Sequence, residues 1–172
     1  MFSIRLATAA DAPLILQFVH RLAEYERAPS EVVATEQDIV RDGFGPHPKF
    51  RCLIVDWDGH PSGFALFHYN YSTWRGRPGL YLEDLFVLPE MRGKGMGKAL
   101  LQKLAQIAVE ESCYGLRWVV LDWNTPALNF YQSIGAELLG EWQTMVLRGK
   151  PLEQLANDSA ASDSAQSSGS KQ

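Results

Sequence analysis

Apolar positions along the chain change their period several times, and each change marks a predicted element. FSIRLA (2–7) alternates with period two and predicts a first strand. From Thr8 the period lengthens. Leu14, Phe18, Leu22 and Tyr25 recur at helical spacing, which predicts a helix with one apolar face. Thr8 followed by Asp11 makes a capping-box-like start, with Asp where Glu or Gln is usual. TEQDIVRDGFG predicts a short second helix, capped by Thr35 with Asp38 and stopped by Gly43 and Gly45. RCLIVDW and GFALFHY, joined around Asp58-Gly59, predict a hairpin whose loop runs on to Gly63.

GLYLEDLFVL (79–88) predicts a strand interrupted by two acids. GKALLQKLAQIAVEES follows as the longest amphipathic helix, with Leu100, Leu101, Leu104, Ile107 and Ala108 inward. RWVVLDW (117–123) has the near-continuous apolar composition of a buried central strand. TPALNFYQSIGAE predicts a helix with Pro126 in its first turn and Gly135 at its end. WQTMVLRG is expected to close the sheet. The order predicts an α/β (α+β) fold, a mixed sheet with helices on both faces, in one domain over 1–152. From Glu153 to Gln172 aromatic and β-branched residues are missing, and a disordered polar tail is expected.

Of the 172 residues, 46% are apolar and 21% charged, which suits one globular domain with a proper core. A net charge of −4 argues against a nucleic-acid partner and fits attraction of small cations. Cys52 and Cys113 make neither a metal spacing nor a disulfide framework, so a reduced, cytoplasmic setting is expected, with no metal. No signal peptide or membrane span is expected either.

The chemistry begins at LPEMRGKGMGKALLQ (88–102). A helix opens with unpaired N–H groups and a positive dipole end, which suits an anion, and glycines let that backbone approach bulky phosphate oxygens. The spacing excludes two nucleotide loops. Lys98 is followed by Ala99, not Ser or Thr, so this is no P-loop, and Gly93, Gly95 and Gly97 alternate where a dinucleotide fingerprint needs G-x-G-x-x-G. A basic turn and a coenzyme A pyrophosphate site remain.

Arg92-x-x-Gly95-x-Gly97 after a strand ending LFVLPE, then a strand ending DWN and a helix carrying NFY, resembles the GNAT superfamily of N-acetyltransferases. LAEYE, TEQDIVRDGFGPHPKF, YSTWRG, YLEDLFV, RGKGMG and LDWNTPALNFYQSIGA narrow the resemblance. They look like the diamine (spermidine/spermine) acetyltransferase branch, closest to its thialysine N-epsilon-acetyltransferase members, over nearly the whole chain to about Leu147. The resemblance implies a mostly antiparallel mixed sheet splayed between its two central strands, acetyl-CoA as co-substrate and a homodimer. Where polyamine-specific members carry Asp before the Trp, this chain has Ser72, which favours a smaller amine such as thialysine or a lysine analogue.

By the same resemblance Tyr131 is the general acid that protonates the departing thiolate; as a bare residue beside Phe130 it reads equally as a core tyrosine. Glu83, an acid inside an apolar strand, reads either as an outward-facing strand acid or as one with a partner or a purpose, and as a general base it would strip the incoming ammonium through water. Regular pleating would send Glu83 and Asp84 to opposite faces; only a bulge could aim both at one cleft, and Asp84 is assigned to cation binding. Tyr25 and Glu26 match the substrate-contacting pair. Trp74 and Trp142 read either as aromatic faces for an ammonium or as packing, and Glu141 is a further candidate for the cationic end. Coenzyme contacts are expected from the backbone of Leu85, Phe86 and Val87, from Arg92, Gly93, Lys94, Gly95, Met96, Gly97 and Lys98, and from Asn124, Thr125, Pro126, Ala127 and Tyr131. Asn124 reads alternatively as a helix N-cap. No histidine is assigned chemistry. YSTWRGRPG could form a lid over a small-molecule cavity. The expected activity is acetyl transfer to a small amine, with a peptide amine acceptor or a non-catalytic CoA-binding regulatory domain as the rivals.

Overall fold

In the computed structural model residues 1–163 are described, with side chains of the last helix as far as Asn157. The chain divides into two compact units, Met1–Leu121 and Asp122–Gln172. None of the helices among the described residues is long and apolar enough to cross a membrane.

The first unit holds β1 (Phe2–Leu6), α1 (Ala12–Tyr25), α2 (Glu36–Phe44), β2 (Arg51–Trp57), β3 (His60–Ser72), β4 (Arg77–Val87), α3 (Met96–Glu110) and β5 (Leu116–Arg117). The sheet runs β1-β2-β3-β4-β5, antiparallel through β4 and parallel between β4 and β5. This is the mixed sheet expected from the element order. Alternation along the strands makes two buried faces. Cys52, Ile54, Phe64, Leu66 and Phe86 pack on one side with Ile15, Phe18, Leu22 and Ile39, and Phe18 stacks on Phe64 at 5.5 Å between centroids. α3 packs against the strands with Leu100, Leu101, Leu104, Ile107 and Ala108 all buried, as its periodicity predicts, and Met96 joins them.

Both capping boxes form. Thr8 closes on Asp11 over a 3-10 turn ahead of α1, and Thr35 closes on Asp38 at the start of α2. α2 runs through Gly43 to Phe44 and ends at Gly45, its C-cap; a Cβ at Gly43 would stand 2.6 Å from the Phe50 ring, so that glycine serves close packing and does not stop the helix. The β2–β3 loop is shorter than expected. Trp57 pairs with His60 across Asp58-Gly59 alone, both at positive φ (47° and 82°), the geometry of a tight hairpin turn. The residues up to Gly63 are absorbed by a register shift between Val55 and Asp56. YSTWRGRPG forms the end of a hairpin: β3 and β4 stay paired out to Ser72 and Arg77, and Thr73–Gly76 is the tip.

The expected strand over 117–123 is assigned only at Leu116–Arg117, and Val119 beyond it is 66% exposed. The β4–β5 ladder ends at Tyr81–Arg117, and extended chain without a hydrogen-bonding neighbour is no strand. WQTMVLRG carries no strand for the same reason.

In the second unit Asn124 caps α4 (Thr125–Ser133), Pro126 occupies its first turn, and Gly135 follows it at φ 89°. The segment expected to lack structure from Glu153 is helical as far as Asp163, in α5 (Lys150–Asp163), where Leu, Gln, Glu and Ala supply helix propensity. Its remainder lies outside the described residues.

Candidate active site

The two acids of β4 are brought to one face by a defect in the ladder. Residues opposite one another across an antiparallel pair point to the same side. Phe64 faces Phe86 and Leu66 faces Asp84, on the α1 side; the next pair is Phe67 with Leu82, then His68 with Tyr81. Between Leu66 and Phe67 the register slips, so Glu83 is the extra residue of a β-bulge. Asp84 and Tyr81 therefore share a side although three residues apart, and Glu83 joins them. The bulge named as the condition for a shared cleft is present.

His68 shows the consequence directly. Its Nε2 lies 3.3 Å from Glu83 Oε2, and its ring rests against Tyr81 at 5.1 Å. Sequence reasoning left His68 without chemistry. Its position one strand over from the acids depends on the bulge register, which no local pattern on β3 reveals.

The charges on this face repel one another. Asp84 is pushed up to about 7, first by burial and then by Glu83 and Glu26. Glu26 ends α1 and keeps solvent contact, yet desolvation raises its carboxyl too. Three acids so arranged gain from any cation that approaches them. Tyr25, next to Glu26, is held by Arg92, whose guanidinium lies 4.4 Å above its ring while Nε donates to the Val87 carbonyl at 3.1 Å. The Gly-rich turn is thus tied to the end of α1 and the end of β4.

That turn makes an anion cradle. Gly93 and Gly95 stand at φ 75° and 85°, and Gly95 is the N-cap of α3. The first helical bond runs from Ala99 N to Gly95 O, so the N–H groups of Met96, Gly97 and Lys98 lead the helix without a partner in it. Gly97 has ordinary φ, and among the described residues a Cβ there would meet nothing within 4 Å beyond its own helix. Neither backbone conformation nor packing requires a glycine at 97, and an external group drawn close to the backbone would. Lys94 reaches over the Trp57 ring at 5.1 Å. Beside the turn, β4 continues to Val87, past the end of its ladder with β5 at Tyr81–Arg117, so residues 83–87 have no β5 partner in the ladder.

Trp74, 87% exposed, is at the β3–β4 tip, roughly 20 Å along the strand from Glu83. Asn124, Thr125, Pro126, Ala127, Tyr131, Glu141 and Trp142 belong to the second unit. There Asn124 is buried, and its Oδ1 accepts from Ala127 N at 3.4 Å, the N-cap alternative. The Tyr131 ring lies 5.4 Å from that of Phe130.

Residues 16–136 match the model of the acetyltransferase (GNAT) family. A thialysine N-epsilon-acetyltransferase of Bos taurus is 38% identical over 164 residues, covering 89% of this chain and 96% of that protein. A human spermidine/spermine N(1)-acetyltransferase-like protein 1 is 39% identical over 142 residues, 78% of this chain and 20% of that longer one. Among solved structures, a Vibrio cholerae integron cassette protein superposes with a TM-score of 0.76 at 28% identity, covering 90% of this chain and 97% of the other. The bulged acidic strand, the glycine cradle and these likenesses agree: the chain belongs to the GNAT acetyltransferase family. It is an N-acetyltransferase.

Proposed function

We propose that this enzyme transfers the acetyl group of acetyl-CoA to the primary amine of a small cationic acceptor, a thialysine-like or lysine-like molecule or a diamine. The observation that carries this reading is the β4 bulge, which sets Glu83 and Asp84 on one side with Glu26 at the point where β4 loses its neighbour. The names of the two relatives, one for thialysine and one for polyamines, support a small amine, and Ser72 favours the smaller. Arg92 through Lys98 would receive the pyrophosphate on their amides. The backbone of Leu85, Phe86 and Val87 would run along the pantetheine arm, with Asn124, Thr125, Pro126 and Ala127 as further contacts.

In this mechanism the ammonium docks against Asp84 and Glu26, with Tyr25, Glu141 and Trp142 as further acceptor contacts, while Trp74 at the hairpin tip stands too far along β4 to touch an acceptor of this size. Glu83 takes its proton through water, because an amine is no nucleophile until neutral. The free amine attacks the thioester carbon directly; the C–N bond forms, the C–S bond breaks, Tyr131 gives its phenolic proton to the departing sulfur, and the second proton lost by the nitrogen restores the phenol by way of solvent. An N–H near Val87 would polarise the carbonyl. Asp84 is a second reading for the base, because a carboxyl near 7 suits proton acceptance at neutral pH. The family resemblance supports a homodimer, and the free cysteines Cys52 and Cys113 fit a cytoplasmic setting.

The test is release of free CoA thiol with thialysine, lysine, putrescine, spermidine and spermine in turn, for the native enzyme and for Tyr131→Phe. The native enzyme should turn over the small amines, and Tyr131→Phe should lose at least tenfold in kcat with acetyl-CoA affinity retained. Acetyl-CoA binding without thiol release would make the chain a regulatory domain, and release only with peptides would move the acceptor class.

A further inference from the structure

One cation on the acceptor side has no part in acetyl transfer as described. Arg117 is exposed, and among the described residues it makes no ion pair and no side-chain hydrogen bond. Its position is set by register: it pairs with Tyr81 across the short β4–β5 ladder. Tyr81 pairs with His68, and His68 reaches Glu83. Arg117, Tyr81, His68 and Glu83 therefore share one side of the sheet. The Tyr81 phenol responds to both ends of this row: burial raises it, Glu83 raises it further, and Arg117 opposes them.

The row has a length and a direction. Arg117 and Glu83 are separated by two residues along β4 and one strand across, roughly 8 Å between backbones. An extended amino acid of lysine length spreads its terminal amine and its α-carboxylate over roughly 7 Å. The acetyl donor occupies the Leu85–Val87 end in the reading above, so an acceptor whose amine meets Glu83 extends its remainder the other way, past Tyr81.

We infer that Arg117 reads the α-carboxylate of the acceptor, which makes the substrate class an amino acid with a terminal side-chain amine and not a polyamine. A carboxylate meets the guanidinium fork with two charge-assisted hydrogen bonds, whereas a polyamine brings a second ammonium against a fixed cation. The acids select the reacting end and Arg117 selects the far end. This inference rests on the reading of Glu83 as the mark of the amine position.

Two substrate pairs test it, each differing by the carboxylate alone: L-lysine against cadaverine, and L-ornithine against putrescine. The native enzyme should show a kcat/KM at least tenfold higher for the amino acid of each pair. Arg117→Met should lower kcat/KM for the amino acids by 10–100-fold, mainly through KM, and leave the diamines unchanged or improved. Arg117→Lys should recover part of the loss. Equal kcat/KM within both pairs for the native enzyme overturns the inference without need of any variant. So does an Arg117→Met enzyme in which both members of a pair fall alike. Thiol release with none of the four amines but with a peptide overturns the underlying amine-site reading, and this inference with it.

Discussion

At the scale of single residues, the central fact is that Asp84 is buried beside two other acids. Its folded-state proton affinity is raised, so the folded protein binds this proton more tightly than the unfolded chain does. Stability is then greatest below about pH 4, falls as pH rises toward the folded value of about 7, and stays low above it. Asp84→Asn removes that dependence. Its melting temperature should match the native protein at pH 4 and exceed it at pH 8, where a rise of about three pH units corresponds to a stability gain on the order of 4 kcal/mol. A variant less stable than native at pH 8 would show that the carboxylate is satisfied by contacts other than those described. The same substitution separates the two readings of the base: if Asp84 accepts the proton, the rise of kcat/KM through neutral pH disappears in Asp84→Asn and survives in Glu83→Gln.

At the scale of elements, the glycine turn divides its residues into those the fold needs and those a ligand needs. Gly95 caps α3 in the left-handed region, and Gly95→Ala should cost about 1–2 kcal/mol of stability. Gly97 sits inside the first turn of the helix with open space over its Cα. Gly97→Ala should hold or raise the melting temperature, since alanine is the better helix former by about 1 kcal/mol. It should nevertheless weaken acetyl-CoA binding at least tenfold, read by calorimetric titration. Loss of stability without loss of binding would return the turn to a merely structural role. The bulge in β4 belongs to this scale as well, because it is an element-level defect that converts two adjacent acids from opposite faces to one.

At the scale of the whole molecule, the first unit carries the sheet, both faces of its core, the acids and the cradle, while Tyr131 and Asn124 belong to the second. The second unit exposes Leu138, Trp142, Met145 and Val146, between 63% and 89% each. Apolar side chains in such number are what an interface between copies would cover, in line with the homodimer proposed from the resemblance. Sedimentation should give twice the chain mass at micromolar concentration. The side chains of α5 are exposed from Lys150 through Asn157. Ending the chain after Leu155 should therefore leave melting temperature and turnover unchanged, and a drop in either would give α5 a role in the fold.

Much of this protein was legible in its sequence because the signals are local. Period changes mark α1, α3 and the strands through β4, the Thr-Asp pairs mark two helix starts, and the alternating glycines with their cations mark the cradle. The acids of β4 stand out because a charge inside an apolar strand is costly unless it has work to do. Pairing is a different matter, since a strand exists only where a neighbour completes its hydrogen bonds. Composition alone thus predicted strands at 117–123 and 142–149 that the tertiary structure does not form, and it lengthened a hairpin loop that two residues at positive φ close. Only the three-dimensional register decided that Glu83 is the bulged residue, that His68 reaches it, and that Arg117 stands on the same side with no ion pair among the described residues. Sequence determines which residues can do chemistry; the sum of long-range pairings determines which of them face one another.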